Sequence, residues 1–286
     1  MSLRAPLQFV TLLAIIGLSL NAAATQCLDT DENLCIYAKA RGSDQALIAI
    51  NRTSRDITVE LKVELSNMQV QTPAQMLNVV PPHSEEVVAI LEIINQYQSS
   101  SYKYAYQYIA GDVYAEHDDS VLYQLPYGVG ETFYVGQSCN TNRTHSSDFS
   151  RYAIDFDLPV GTPIYAARDG KVVDQYRLSN SGGLSEMHLD KGNYIEIEHS
   201  DGTIANYHHL RMLGVKVQIG DEVATGDFIG YSGNTGYSSG PHLHFAVTRP
   251  ISSSAAISIP VKWQAARGVL TCPREGLALR ATPIDG

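Results

Sequence analysis

Residues 239–246 read SGPHLHFA, and the rest of the chain is best read outward from them. Side chains alternate across an extended strand, so residues two apart share a face with Cα atoms roughly 6.7 Å apart. His242 and His244 therefore present two imidazoles on one surface, while Leu243 and Phe245 turn the other way into packing. The stretch reads as a short strand with an apolar back and an imidazole front. Such a front can hold a metal with one ring and work on a water molecule with the other, provided further ligands arrive from elsewhere. The alternative is two polar groups facing solvent, and an H-x-H pair by itself does not choose between them.

The flanking sequence is strands and turns. PIYAARDGKVV (163–173) has Asp169-Gly170 at a tight turn, and GNYIEIEHSDGTIANYHHL (192–210) reads as a hairpin about Asp201-Gly202. VQIGDEVATGDFIGYSGNTG (217–236) is broken by glycines, and no long amphipathic helix is evident. Residues 126–286 are expected to form a mostly antiparallel sheet whose loops carry the polar chemistry. YQLPYGVGETFYVGQ (123–137), rich in Gly, Pro and Tyr, marks the boundary to an earlier domain.

Residues 25–125 also read as strands. In ITVELKVEL (57–65), Ile57, Val59, Leu61, Val63 and Leu65 alternate with polar residues, the pattern of a half-buried strand. SYKYAYQYIAG (101–111) sets Tyr102, Tyr104, Tyr106 and Tyr108 on one face. That stripe is read as a packed aromatic face in preference to a glycan-stacking one. Several short strands separated by turns predict an immunoglobulin-like β-sandwich, so the chain as a whole is mainly β. His83 and His117 are read as surface residues.

At the N-terminus, residues 1–24 carry one basic residue, Arg4, an apolar run to Leu20, and Ala22-Ala23-Ala24 at a cleavage position. This is the pattern of a secretory signal peptide. The run is short for a bilayer span, so stable membrane insertion after cleavage is not expected. Cys27 follows Gln26, which is not the small residue that lipid-modifying cleavage requires. The four cysteines fit an oxidising compartment and contain no C-x-x-C. Three pairings are possible; the one adopted is Cys27 with Cys35 and Cys139 with Cys272. The formal net charge of −10, one unit more acidic once Arg4 is removed, argues against nucleic acid as a partner. Export to the periplasm, or secretion, is expected.

Metal-ligating candidates in the second domain fall in THSSDFSRYAIDFDLP (144–159), NYHHL and GPHLHF, which supply His145, Asp155, His208, His209, His242 and His244. A catalytic zinc centre takes three protein ligands and keeps a position open. Residues 145–247 resemble the catalytic domain of the lysostaphin/LytM-type zinc metallopeptidases, peptidase family M23, which cut peptide bonds in bacterial peptidoglycan. RYAIDFDLPVGTPIYAARDGKVV (151–173) resembles the family's ligand segment, NYHHL its Tyr-x-His-Leu, and VQIGDEVATGDFIGYSGNTGYSSGPHLHF (217–245) its glycine-punctuated run into the H-x-H.

The resemblance implies an antiparallel-β LytM-type domain, Zn2+ as cofactor, peptidoglycan peptides as partner and hydrolysis of a cell-wall peptide bond. It makes Asp155 and His244 zinc ligands and sets His209 and His242 beside the water as the catalytic pair. His208 is expected on the opposite strand face, as a structural or exposed residue. The commonest family pattern, H-x-x-x-D, would put the first ligand at Arg151, whose guanidinium has no free lone pair. His145, ten residues before Asp155, is the nearest substitute, and the longer loop costs little. Asp148, Asp157 and Asp169 are weaker alternatives. His188 and His199 are read as loop and hairpin-end residues. A competing reading is a catalytically inactive regulator of another wall hydrolase, or a wall-binding module. The N-terminal domain could dock the enzyme or cover its groove.

Overall fold

A computed structural model of the chain describes residues 14–15, 31–71, 77–141 and 143–284. The expected signal segment lies outside the described residues except for Ala14–Ile15, a two-residue strand at a sheet edge. No helix among the described residues is long and apolar enough to cross a membrane.

The described residues form two compact units, one from Tyr114–Arg249 with Ala256 onward, the other from the residues before Tyr114 with Pro250–Ala255. Both are built almost wholly of strands; the one helical element among the described residues is a 3-10 turn, Glu186–His188.

The N-terminal unit holds two antiparallel sheets. One orders Ser101–Ala110, Ile57–Ser66 and Leu77–Val80 after the edge pair; the other orders Leu34–Arg41, Asp44–Asn51, Glu85–Ile93 and Met68–Val70. Their inner faces share one core, in which Leu34, Leu47, Ile57, Val59, Leu61 and Leu91 are buried. The tyrosine stripe lies in this core, with Tyr102, Tyr104, Tyr106 and Tyr108 all buried. Two of the hydroxyls reach acceptors there: Tyr104 donates to the Ile36 carbonyl at 2.9 Å and Tyr108 to Asp31 Oδ2 at 2.5 Å. That satisfaction lets an aromatic face carrying polar tips pack dry.

The C-terminal unit is dominated by one antiparallel sheet. Its strand order runs Glu222–Val223, Gly170–Tyr176, Asn193–Glu198, Ile204–Leu210, Leu243–Ser252, Ile154–Asp157, Thr132–Gln137 and Ala278–Arg280, with Ala255–Ile259 also paired to Leu243–Ser252. One face packs on Tyr123, Tyr207, Phe156, Phe245 and Trp263, edge to face around the indole. Tyr207 and Phe245 lie opposite each other in register, with rings 5.0 Å apart. Their strand neighbours are thereby directed to the other face. Leu122–Gln124 pairs in parallel with Lys262–Ala265 in this unit.

Cys139 and Cys272 form a disulfide. Cys35 is also disulfide-bonded, and Cys27, its expected partner, lies outside the described residues. His83 is exposed as expected. His117 is not: its side chain is only 10% accessible, set 3.6 Å from Asp201 Oδ2 and against Tyr123. Half-buried Asp201 also binds Arg168 at 2.7 Å, so the turn after Glu198 gathers a polar cluster that draws His117 inward.

Candidate metal centre

Three neighbouring strands create the site by register. Asp155 is paired with His244, and His244 in turn with His208, so all three lie in one row across the sheet. Paired residues on adjacent antiparallel strands share a face, and here that face is the one opposite Phe245 and Tyr207. The carboxylate Oδ1 of Asp155 lies 2.8 Å from His244 Nδ1.

His145 joins them from the loop between Gln137 and Ile154. It is fully buried, and its Nδ1–H donates to the Ser138 carbonyl at 2.8 Å, leaving Nε2 at 3.3 Å from Asp155 Oδ1. The loop is closed on itself: Asn140 N–H donates to the Arg151 carbonyl, and Ser150 Oγ to the Thr144 carbonyl. The Cys139–Cys272 disulfide fixes its start. One donor atom from each of His145, Asp155 and His244 lies within 4.8 Å of the others, a group that could hold a metal ion.

Two further rings complete the cluster. His242 directs Nε2 to 3.8 Å from Asp155 Oδ2, and its Nδ1–H donates to the Gly240 carbonyl at 2.8 Å. His209 donates Nδ1–H to the Thr235 carbonyl at 2.7 Å, and its ring centroid is 4.6 Å from that of His242. A carbonyl oxygen can only accept, so each of these contacts fixes the Nδ1–H tautomer and leaves the Nε2 lone pair available. Burial, with the neighbouring rings of His242 and His244, pulls His209 down to about 3. Burial would raise Asp155, but the hydrogen bond from His244 and the facing rings of His145 and His242 outweigh it and hold the carboxyl well below the usual range. Burial lowers His244 despite that carboxylate, whereas at His145 the same carboxylate outweighs burial and raises it.

The donor set fits zinc. Two imidazole nitrogens and one carboxylate oxygen are what a catalytic zinc site uses, and His145 carries the carbonyl partner that orients a metal-binding ring. Asp148, Asp157 and Asp169 stand outside this group; Asp148 pairs with Arg151 instead.

His208 departs from expectation. It does not turn to the far face: it is 6% exposed, lines the same groove, and sets its ring 6.0 Å from His244 and 6.3 Å from His209. Alternation from the core residue Tyr207 sends His208 there, and a β-bulge brings the next residue to the same side. Asn193 pairs with Leu210 and Tyr194 with His208, leaving His209 as the extra residue, with φ of +64°. A bulged residue in the left-handed region re-aims its side chain, so two consecutive histidines face one cavity. His199 is a hairpin-end residue but buried, and His188 ends the 3-10 turn with Nδ1 3.0 Å from Ser181 Oγ.

The five histidines and Asp155 lie at or beside a groove of about 600 Å³, bordered by Arg143, Leu184, Glu186, Leu189, Gly236 and Tyr237.

The family model described as Peptidase family M23 matches residues 150–256. The chain is 34% identical over 139 residues to an uncharacterized metalloprotease of Buchnera aphidicola, covering 48% of this chain and 33% of that protein. It is 33% identical over 165 residues to the peptidoglycan DD-endopeptidase ShyA of Vibrio cholerae, covering 55% of this chain and 35% of that one. The chain thus spans about a third of the length of these curated relatives. Among solved structures it is similar to the catalytic domain of lysostaphin from Staphylococcus simulans, at 31% identity over 50% of this chain and 95% of that domain, with a TM-score of 0.32.

Proposed function

The chain belongs to peptidase family M23 through its C-terminal unit, and from that premise we propose that it is a zinc-dependent endopeptidase that hydrolyses peptide bonds of bacterial peptidoglycan. The observation that carries this reading is the convergence of His145, Asp155 and His244 on one point, with the Nε2 atoms of His209 and His242 available beside it. His145, Asp155 and His244 are the proposed ligands. A zinc ion in this set supplies Lewis acidity at the scissile carbonyl and acidifies a water molecule.

The protein's own groups do the rest. His209, kept neutral by burial, has its Nε2 lone pair ready to take a proton from the attacking water. His242, its ring beside that of His209, is placed to take up a proton at Nε2 and, once it carries that proton, to steady the developing oxyanion or hand the proton to the leaving amine. The Thr235 and Gly240 carbonyls hold both rings in the orientation this requires. The groove leaves an extended peptide room to lie across these rings. The signal-like N-terminus and the disulfide support export, with the periplasm as the proposed location.

The test pairs zinc content with wall digestion. The purified protein is expected to hold one zinc and release peptides from isolated peptidoglycan, and His145→Ala is expected to lose both properties. A parent protein that holds zinc but releases nothing would overturn the hydrolase reading. A His145→Ala variant with full zinc would overturn the ligand assignment.

A further inference from the structure

One wall of the groove is apolar although the fold does not require it. The segment between Arg177 and Gly192 is pinned along the groove: Gly182–Gly183 pairs with Gly236–Tyr237, Gly236 N–H donates to the Ser181 carbonyl at 2.8 Å, and Asn193 ties both backbone groups of Ser179. On this fixed wall Leu184 is 62% exposed and Leu189 41%, and both line the groove with Tyr237. Glu186 lines it between them, and among the described residues its carboxylate has no ion-pair partner. Exposed leucines on a mobile loop can fold away from water. Here the pinned backbone keeps them where a molecule entering the groove would cover them.

We propose that this wall is the specificity element of the site: it receives a cell-wall residue whose side arm is an aliphatic chain ending in an ammonium, the diamino acid of a directly cross-linked peptide. The methylenes pack on Leu184, Leu189 and Tyr237, and the ammonium meets Glu186. The assignment rests on the hydrolase reading of the groove. A glycine bridge has no side arm, so it would leave both leucines wet and the carboxylate unmatched.

Three soluble wall-peptide dimers test it, with the zinc-loaded full-length protein. In the first, D-alanine is joined directly to the side-chain amine of one diamino acid while the amine of the second is free; in the next, that free amine is acetylated; in the last, the stems are joined by five glycines. The first is expected to be cleaved best. Acetylation is expected to raise KM about three- to fivefold, the range of a partly exposed ion pair. Glu186→Gln should raise KM by the same factor on the free amine and leave the acetylated dimer unaffected. The double variant Leu184→Ser, Leu189→Ser should raise KM about tenfold on both directly linked dimers and leave the glycine-linked one unchanged.

Preference for the glycine-linked dimer, or an equal effect of Glu186→Gln with and without the amine, would overturn the assignment while leaving the hydrolase reading intact. If none of the three is cleaved, the hydrolase reading fails. Calorimetric titration of the uncleaved dimers then decides the wall separately: weakening by Glu186→Gln confined to the free-amine dimer supports it, and identical affinities overturn it.

Discussion

Backbone carbonyls, which no substitution can remove, orient the working rings of this site. Ser138, Thr235 and Gly240 each accept an Nδ1–H, from His145, His209 and His242 respectively, and so commit Nε2 of each ring to the site's interior. His244 is the exception, presenting Nδ1 to Asp155. That division predicts different consequences for the two kinds of histidine. His209→Ala and His242→Ala should each lower kcat by about 10²- to 10⁴-fold, the usual share of a proton-transferring group. Both should keep their zinc, as elemental analysis beside turnover would show; His244→Ala should lose it. A second prediction concerns His199, which is 3% exposed and held down to about 4, chiefly by burial. Between the ordinary value near 6.5 and that folded value, the unfolded chain takes up a proton that the folded chain refuses. Stability present above pH 6.5 is therefore lost as pH falls toward 4, by up to about 3 kcal/mol. Denaturant unfolding of the parent and His199→Gln at pH 7 and pH 4.5 measures it. The parent's advantage should shrink by most of that amount; an advantage independent of pH would refute the assignment.

The bulge in the Ile204–Leu210 strand turns an ordinary sheet face into a site. Tyr207 and Leu210 are both fully buried in the same core, yet residues three apart cannot share a face of a regular strand. An extra residue must intervene, and His209 is that residue. The signal was therefore present in Tyr-His-His-Leu: two core residues at odd spacing imply a bulge, and with the bulge both intervening histidines face the groove. Strict alternation conceals it: counted from Tyr207, it keeps His208 at the groove but turns His209 into the core. Gly236 supports the arrangement from the adjoining loop. Its φ is +81°, and a Cβ there would lie 2.7 Å from Gly192 Cα and 3.4 Å from His209 Nδ1. Backbone cannot yield as a side chain can, so Gly236→Ala should shift the loop that carries the Thr235 carbonyl. The expected outcome is a loss of about 1–3 kcal/mol of stability and a fall in kcat with zinc content retained. A variant with parental kcat would show that the Thr235 contact does not set the His209 ring. The strands were legible from alternation, as in Ile57–Ser66, and the H-x-H pair announced its own face. The row formed by Asp155, His244 and His208 was not, because register depends on which strands become neighbours and no local pattern states it. The apolar wall was equally hidden, since Leu184 and Leu189 sit in a loop without periodicity.

At the scale of the molecule, the two units have separate cores. One gathers around Trp263, Tyr207 and Phe245, the other around Leu47, Leu61 and the four tyrosines, and each core is large enough to cooperate internally. The proposed ligands His145, Asp155 and His244 all belong to the first. A ligand that binds only the folded form of one unit stabilises that unit by mass action, by about 2.7 kcal/mol at a hundredfold excess over Kd. For a unit of this size each kcal/mol moves the melting temperature by roughly 2–4 °C. Calorimetry of the zinc-loaded protein should therefore show two transitions, and a chelator should lower one of them by about 5–10 °C while leaving the other in place. The moving transition can be identified without relying on chelation: His244→Ala should behave without chelator as the parent does with it, and chelator should then have no further effect. If both transitions moved together, metal binding would be coupled to the N-terminal unit as well. If neither moved, the His-Asp-His group would not be holding zinc in the folded protein, and the hydrolytic mechanism built on it would fall.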